Sequence, residues 1–231
     1  MVITIRIFSP RRFFESGDYV SKLPPTPFIY PLTDRALAGN RSIGKIISEL
    51  ADGGACIIQL REKNITTREY TEIATEAVSA AQRYGIQIII NDRVDVALYS
   101  NADGVHLGDE ELPASEARTI LGEDKIIGVS CHSIADVEQA KKEPIDYFAV
   151  GPIFATNTKK LKFEVVGLEL IRAARKVSNL PMVAIGGIAN HSVYDVVKAG
   201  ADGVAVISAA MAPTGIDRLT KDLVSALLRD N

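Results

Sequence analysis

Short apolar runs alternate with longer amphipathic segments from residue 28 onwards. Strands that alternate with helices are typical of a parallel sheet, so the pattern predicts repeated β/α units. Apolar runs predict eight strands at Phe28–Leu32, Ala55–Leu60, Ile86–Ile90, Gly104–Leu107, Ile126–Val129, Tyr147–Val150, Met182–Ile185 and Gly203–Ile207. Helical spacing of apolar residues predicts helices at Thr67–Tyr84, Ser115–Leu121, Ala135–Lys141, Leu168–Val177 and Val193–Ala199.

Eight parallel strands can form an open doubly wound sheet or close into a barrel. The strands here are short and evenly spaced, and polar residues follow many of them rather than one switch point. Both features favour an α/β fold of the (β/α)₈ barrel type. The phrase Ala-Asp-Gly-Val occurs at Ala102–Val105 and again at Ala201–Val204, which also indicates repeated units. We expect one barrel domain at residues 28–231, preceded by an N-terminal arm at 1–27.

Composition limits the classes of partner. The chain has 231 residues, of which 47% are hydrophobic, and a net charge of -3, so no global field attracts nucleic acid or an anionic membrane. No apolar run approaches the ~20 residues that span a bilayer, and the N-terminus lacks the features of a signal peptide. Two cysteines far apart in sequence argue against a disulfide framework and favour the cytoplasm. The oligomeric state stays open, with a homo-oligomer among the alternatives.

The end of the second strand carries candidate anion ligands. Gln59, Arg61 and Lys63 alternate along the chain, and in an extended strand such residues share one face. We therefore expect an amide and two cations to point towards a common anion at the barrel mouth. The alternative is a solvated strand end in which Arg61 pairs with Glu62.

Carboxylates follow the third and fourth strands. Asp92 comes directly after a fully apolar run, and Asp109, Glu110 and Glu111 follow the fourth strand. Carboxylates on neighbouring loops can hold Mg²⁺, which often shares its ligands with substrate phosphates. The alternative is that Asp92 caps a helix and that the acidic run is solvated surface.

The fifth strand ends in Ser130, Cys131 and His132. Adjacent extended residues face opposite sides, so Cys131 and His132 are not expected to form a nucleophile pair, whereas Ser130 and His132 share a face. Cys131 is interpreted as a small buried hydrophobic residue. His106, within the fourth strand, is expected to be a core residue or a residue that supports the site, rather than a catalyst.

Two further loops offer phosphate ligands. After the sixth strand, Thr156, Thr158, Lys159 and Lys160 are typical of a polar loop that neutralises phosphate, or of an ordinary solvated loop. After the seventh and eighth strands, Gly186, Gly187, Ile207 and Ser208 stand where barrels commonly bind phosphate, with glycine allowing close approach to the backbone. Two anion sites at one mouth suggest a reaction that joins two phosphorylated small molecules.

At this point the motifs resemble a known family, the thiamine-phosphate synthases. The resemblance covers about residues 28–228 and rests on motifs in the family's order and spacing. These motifs are Gln59–Lys63, Asn91–Asp92, Ala102–Gly108, Gly128–Ser130, Gly151–Phe154, Thr156–Lys159, Ile185–Ile188 and Ile207–Ser208. The family couples a pyrimidine-methyl diphosphate to a thiazole phosphate with Mg²⁺ and releases pyrophosphate.

The resemblance implies a role for each matching position. Gln59, Arg61, Lys63, Asn91, Ser130 and Lys159 would hold the pyrimidine diphosphate, with Arg61, Ser130 and Lys159 acting in catalysis. Asp92 would bind Mg²⁺, and Thr156, Thr158, Gly187, Ile207 and Ser208 would hold the thiazole phosphate. Two positions depart from the family's pattern. Glu111 stands where a metal-binding aspartate is usual, and the segment 161–164 differs from the common form.

Two rival functions remain. A sister family of TenI-like thiazole tautomerases has the same fold, and there His132 would transfer the proton. Those relatives tend to lack the diphosphate lysine and the metal aspartate, so Lys63 and Asp92 favour the synthase. A rival of another class is a barrel that senses a thiamine intermediate as a regulator, without turnover.

Overall fold

In a computed structural model, the chain folds as a cylinder of parallel strands surrounded by helices. The structure describes residues 21–156 and 163–228. The strands are β1 (Phe28–Pro31), β2 (Ile57–Leu60), β3 (Gln87–Asn91), β4 (Gly104–Leu107), β5 (Ile126–Cys131), β6 (Tyr147–Val150), β7 (Met182–Ile185) and β8 (Gly203–Val206). The α-helices are α1 (Ile43–Asp52), α2 (Thr67–Gln82), α3 (Val94–Ser100), α4 (Ala114–Leu121), α5 (Ile134–Ala140), α6 (Gly167–Val177), α7 (Val193–Lys198) and α8 (Ile216–Leu227).

The predicted (β/α)₈ barrel is confirmed. The strands pair in parallel in the order β1-β8-β7-β6-β5-β4-β3-β2. The remaining junction, between β1 and β2, is closed by a single bridge between Leu32 and Gln59 and by a hydrogen bond from the Thr33 amide to the Gln59 carbonyl, 2.9 Å long. We call this junction the seam.

Strand residues alternate between two apolar clusters. One cluster fills the barrel and contains Tyr30, Ile57, Ile89, Tyr147 and Ala205. The other lies between the sheet and the helices and receives the neighbouring strand positions, such as Ile29, Phe148 and Val204. Because successive strand side chains point to opposite faces, each short strand contributes to both clusters.

The repeated Ala-Asp-Gly-Val phrase has a structural role at the N-terminal ends of the strands. Asp103, just before β4, accepts a hydrogen bond from the Ile88 amide of β3 over 2.8 Å. Asp202, just before β8, accepts one from the Met182 amide of β7, also over 2.8 Å. Asp146 makes the same contact between β6 and the Ile127 amide of β5. Each aspartate therefore fixes the register of its strand against the preceding one.

The described part of the predicted N-terminal arm packs beneath the barrel. Leu23 is buried against the interior cluster, and Lys22 pairs with Asp146 at 2.9 Å. The Gln87 side-chain amide donates to the Lys22 carbonyl. Residues 1–20 lie outside the described part of the chain. Across the described ranges, none of the helices combines the length and apolar character needed to cross a bilayer.

Candidate active site

A cavity of about 490 Å³ opens at the carboxyl ends of the strands. This is the end of a (β/α)₈ barrel that carries active sites, and the volume suits a small-molecule ligand. Its lining comes from loops that follow several strands, because parallel strands deliver their carboxyl ends to one edge. The cavity therefore collects side chains that are far apart in sequence.

One wall of the cavity is a cluster of charges. Lys63 Nζ lies 2.7 Å from Asp92 Oδ2, and both residues line the cavity. Asp92 and Glu111 both lie near Gly108, where an added Cβ would be 3.8 Å from Asp92 Oδ1 and 3.8 Å from Glu111 Cγ. Partial burial raises the pKa of Glu111, the Asp92 carboxylate raises it further, and Lys63 opposes the shift. The two carboxylates are thus close enough to repel each other electrostatically.

Asp92 has an unusual backbone conformation. Its φ is +67°, in the left-handed region that residues other than glycine adopt rarely, although aspartate tolerates it better than most. The Asp92 amide donates to the His106 carbonyl of β4 over 2.8 Å. Strained backbone clusters at functional sites, where the surroundings hold it in place. Asp92 holds this conformation where it lines the cavity.

The wall is rich in negative charge. Among the described side chains, the cavity is lined by the carboxylates of Asp92, Asp109, Glu110 and Glu111 and by one lysine, Lys63. A polyanionic ligand would be repelled by this wall unless a cation accompanied it. In the described residues, no group of three or more histidine, cysteine, aspartate or glutamate side chains is arranged to hold a metal ion.

The opposite wall is built from backbone. Gly186, Gly187, Ile207 and Ser208 line the cavity there, after β7 and β8. The two glycines have φ of +104° and +64°. A Cβ on Gly187 would lie 2.4 Å from the Ala155 carbonyl oxygen. The sequence-based reason for glycine, close approach of a ligand, is therefore incomplete, because the loop after β6 already requires glycine here.

Ser130 sits where the barrel interior meets the cavity. It is the fifth residue of β5 and lines the cavity. His106 Nε2 lies 3.1 Å from Ser130 Oγ, and His106 Nδ1 lies 2.9 Å from the Tyr147 hydroxyl. His106 therefore contacts a cavity residue through Ser130 and is not itself among the described lining residues. Tyr147 in turn lies 3.0 Å from the Tyr30 hydroxyl, inside the barrel.

His132 also lines the cavity, on the same side as Ser130. Its ring stacks on Phe163, with the centroids 3.6 Å apart and the planes 12° from parallel. Nδ1 lies 2.5 Å from the Gly151 carbonyl and Nε2 lies 3.4 Å from Asp109 Oδ2. Cys131 faces away and is 1% exposed, and burial raises the pKa of its thiol to about 12. The expectation that Cys131 and His132 form no nucleophile pair is confirmed.

The shared-face argument for the second strand does not extend to Lys63. Strand β2 ends at Leu60, so alternation stops before Arg61. Lys63 faces the cavity, whereas Gln59 is 3% exposed and donates to the Tyr30 hydroxyl inside the barrel. Arg61 lies beside the seam, 3.9 Å from Asp34. Neither Gln59 nor Arg61 is among the described residues that line the cavity.

The other predicted site residues divide into three groups. Thr156 lines the cavity, near the glycine wall. Asn91 ends β3, and its carbonyl accepts a hydrogen bond from the Tyr70 hydroxyl, but it is not among the described lining residues. Thr158, Lys159 and Lys160 lie outside the described residues, as do Leu161 and Lys162 of the segment that departs from the family pattern.

Sequence reasoning missed three residues that shape the site: Tyr30, Tyr147 and Phe163. The two tyrosines were read only as strand residues. Each has a polar atom at an inward position of an apolar strand, and buried tyrosine hydroxyls usually find a partner. That signal was present in the sequence. Phe163 follows a polar loop, and no pattern in the chain links it to His132.

The fold and the cavity define a barrel enzyme, with its chemistry at the carboxyl ends of the strands. Comparison with known proteins gives the particular family. The sequence profile described as "Thiamine monophosphate synthase" matches residues 29–210, and the chain belongs to that family.

Individual relatives agree with this assignment. The chain is 40% identical to the thiamine-phosphate synthase of Clostridium tetani over 195 residues, which cover 84% of this chain and 93% of that protein. It is 43% identical to the thiamine-phosphate synthase of Chloroflexus aurantiacus, over 84% of this chain and 90% of that one. The solved structure of thiamine phosphate pyrophosphorylase from Pyrococcus furiosus superposes with a TM-score of 0.78 at 37% identity, covering 87% and 95% of the two chains.

Proposed function

We propose that the protein is a thiamine-phosphate synthase. It would join a pyrimidine-methyl diphosphate to a thiazole phosphate and release pyrophosphate. One observation carries the proposal: in a chain of this family, a single cavity has the Lys63, Asp92 and Glu111 cluster on one wall and the Gly187, Ile207 and Ser208 backbone on the other. The first wall suits a metal diphosphate, and the second suits a monophosphate on backbone amides.

The reaction needs few proton transfers. The bond between the methylene carbon and the diphosphate oxygen breaks, and pyrophosphate leaves with the electron pair. The unprotonated thiazole nitrogen then donates its own pair to the methylene carbon, which gives the thiazolium of thiamine phosphate. The protein holds the two reactants side by side and stabilises the charge that develops on the leaving group. Ser130 lines the cavity and is the residue we assign to that stabilisation from its position, while Arg61, beside the seam, and Lys159, outside the described residues, are assigned to it from the family resemblance alone.

Mg²⁺ fits the chemistry of the charged wall. Asp92 and Glu111 would hold it together with diphosphate oxygens, since Mg²⁺ is commonly bound by one or two carboxylates and substrate phosphates. When bound, the metal supplies positive charge to the leaving pyrophosphate. Lys63, which pairs with Asp92 at 2.7 Å, would then contact phosphate instead. Glu111, in place of the family's usual aspartate, has its Cγ near Gly108, as Asp92 has its Oδ1, each 3.8 Å from the position of an added Cβ.

The direct test is pyrophosphate release by the purified protein, given both substrates and Mg²⁺, with thiamine phosphate identified by mass spectrometry. The proposal requires product only when both substrates and the metal are present. Binding of a thiamine intermediate without turnover would instead support the regulator. A location in the cytoplasm and assembly into a homo-oligomer remain predictions from the sequence.

The tautomerase is the second candidate, because His132 lines the cavity with Asp109 at 3.4 Å from its Nε2. A histidine paired with a carboxylate is suited to moving a proton. Conversion of a thiazole carboxylate phosphate, with loss of that activity in His132→Asn, would favour it. The synthase assay given both substrates separates the two functions.

A further inference from the structure

A chain of hydrogen bonds crosses the barrel beneath the cavity. Gln59 Nε2 donates to the Tyr30 hydroxyl over 3.2 Å, and the Tyr30 and Tyr147 hydroxyls are 3.0 Å apart. From Tyr147 the chain continues to His106 Nδ1 at 2.9 Å, and from His106 Nε2 to Ser130 Oγ at 3.1 Å. It joins β2, β1, β6, β4 and β5, so a single network links most of the circumference to one hydroxyl at the cavity.

The polarity of this network follows from counting protons. Each tyrosine hydroxyl can donate once, and burial raises the pKa of both Tyr30 and Tyr147 far above the ordinary value, so both are neutral. The two neighbours of the Tyr30 hydroxyl among the described residues are the Gln59 amide and the Tyr147 hydroxyl. Because the Gln59 amide donates, the Tyr30 proton must go to Tyr147. Tyr147 must then donate to His106.

The same proton count fixes the tautomer of His106 and the direction in which the Ser130 hydroxyl donates. An imidazole that accepts at Nδ1 and is neutral carries its proton on Nε2. His106 Nε2–H then donates to Ser130 Oγ, and the Ser130 proton is left to point into the cavity. The reverse polarity would leave the Tyr30 proton buried without an acceptor among the described residues, which is costly in a barrel interior.

We propose that Gln59, Tyr30, Tyr147 and His106 form a one-directional hydrogen-bond chain that makes the Ser130 hydroxyl a donor to the cavity. His106 is then a positioning residue that acts through Ser130 and is held in the Nε2–H tautomer by Tyr147. The acceptor for Ser130 is a phosphate oxygen of the diphosphate, and this last step rests on the proposed function. A donor fixed in this way needs no reorientation as negative charge develops on the leaving group.

The tautomer of His106 can be measured without an enzyme assay. The chain has three histidines, so ¹⁵N NMR of histidine-labelled protein at about pH 8, above the ordinary imidazole pKa, resolves each ring. His132→Asn and His191→Asn assign His106 by difference. We expect Nδ1 of His106 to be the unprotonated nitrogen and Nε2 to carry the proton. A proton on Nδ1 would overturn the polarity.

Tyr147→Phe removes the hydroxyl that selects the tautomer and keeps the ring. It should convert His106 to a mixture of tautomers, whereas the matched control Tyr70→Phe should not. Tyr70 is also buried, and its hydroxyl donates to the Leu60 carbonyl over 2.7 Å, so it is not part of the hydrogen-bond network that contains His106. If both variants unfold at similar urea concentrations but only Tyr147→Phe changes the His106 signals, the effect is one of positioning. An unchanged tautomer in Tyr147→Phe would contradict the proposal.

The phosphate acceptor is tested with inorganic pyrophosphate and Mg²⁺ by calorimetry. Ser130→Ala should weaken pyrophosphate binding about tenfold, as loss of one hydrogen bond to a charged group does, and Tyr147→Phe should weaken it less. Unchanged binding in Ser130→Ala would overturn the assignment to phosphate, whatever the NMR result. Because neither measurement uses turnover, failure of the synthase assay and failure of this inference are distinguishable.

Discussion

Replacing Gly187 by alanine should lower the free energy of unfolding for two structural reasons. The backbone has φ of +64°, and a side chain in this left-handed region costs about 1 kcal/mol. The new Cβ would also lie 2.4 Å from the Ala155 carbonyl oxygen and 2.7 Å from the Phe154 carbonyl oxygen. Both oxygens belong to the backbone, and the Phe154 amide donates a hydrogen bond to the Gly186 carbonyl, so the two loops are held together at this point. Relieving the overlap should therefore cost about 2 kcal/mol more, as overpacking does.

Gly215→Ala is the matched control. Gly215 has φ of +75°, and no atom lies within 4 Å of its ideal Cβ, so only the conformational cost applies. In urea unfolding we expect losses of about 3 kcal/mol for Gly187→Ala and about 1 kcal/mol for Gly215→Ala. The difference of about 2 kcal/mol between the variants corresponds to a melting temperature about 6 °C lower for Gly187→Ala than for Gly215→Ala. Equal losses would refute the close approach of the two loops.

The same substitution should change catalysis selectively. The loop displaced by the new Cβ carries Thr156, which lines the cavity beside Gly187. We expect Gly187→Ala to raise the KM for the thiazole phosphate and to leave the KM for the pyrimidine diphosphate nearly unchanged. Gly215→Ala should leave both unchanged. A larger effect on the pyrimidine diphosphate would show that the monophosphate does not bind at the glycine wall.

Three further predictions concern charge and thiol chemistry. Asp92→Asn keeps a residue that tolerates positive φ but removes the charge, so the dependence of the rate on Mg²⁺ concentration should no longer saturate. The free energy of unfolding should change little, because Lys63, the ion-pair partner of Asp92, has a side chain that is 47% exposed. The Glu62 side chain is 8% exposed and its Oε1 has no hydrogen-bond partner among the described residues. Burial raises its pKa, so its contribution to stability is present at low pH and lost as pH rises through the raised pKa. Urea unfolding at several pH values should show that Glu62→Gln reduces this dependence, and a parallel pH profile in both proteins would contradict it. Iodoacetamide should label the exposed Cys56 but not Cys131 in the native protein, and Cys131→Ala should retain activity; a large loss of kcat would reopen a role for the thiol.

Most of the fold was predictable because each strand is a short apolar run between turns. Five of the helices were also predicted, but α1, α3 and α8 were not. Helix α1 has apolar residues at Ile43, Ile46, Ile47 and Leu50, so the sequence does contain a helical pattern there. Helix α3 is seven residues long and has no side-chain cap, and α8 buries Thr220 at a position where an apolar residue would have marked the helix. Short or polar-interrupted helices depend on tertiary packing more than on local pattern.

The site was predictable where a strand continues and less so where it ends. Alternation correctly groups Ser130 with His132, because β5 runs to Cys131 and both residues line the cavity. The same argument fails for Lys63, because β2 stops at Leu60 and the following residues are no longer alternating. Contacts such as His132 with Phe163 depend on how loops fold over the mouth. No local periodicity encodes them.

The aspartates at the N-terminal ends of the strands add side-chain hydrogen bonds to three of the strand junctions. Asp103, Asp146 and Asp202 join β3 to β4, β5 to β6 and β7 to β8, each by a carboxylate that holds the amide of its neighbour. The residues just before β2, Gly53–Cys56, include no such aspartate, and the junction of β2 with β1 is the seam. Its two strands are joined instead at the opposite end, where the Thr33 hydroxyl accepts a hydrogen bond from the Arg61 amide over 3.0 Å. Three of the eight strand junctions therefore carry a carboxylate–amide hydrogen bond at the N-terminal end of the barrel, whereas the seam is joined at the carboxyl end, beside the arginine that the family resemblance assigns to the leaving group.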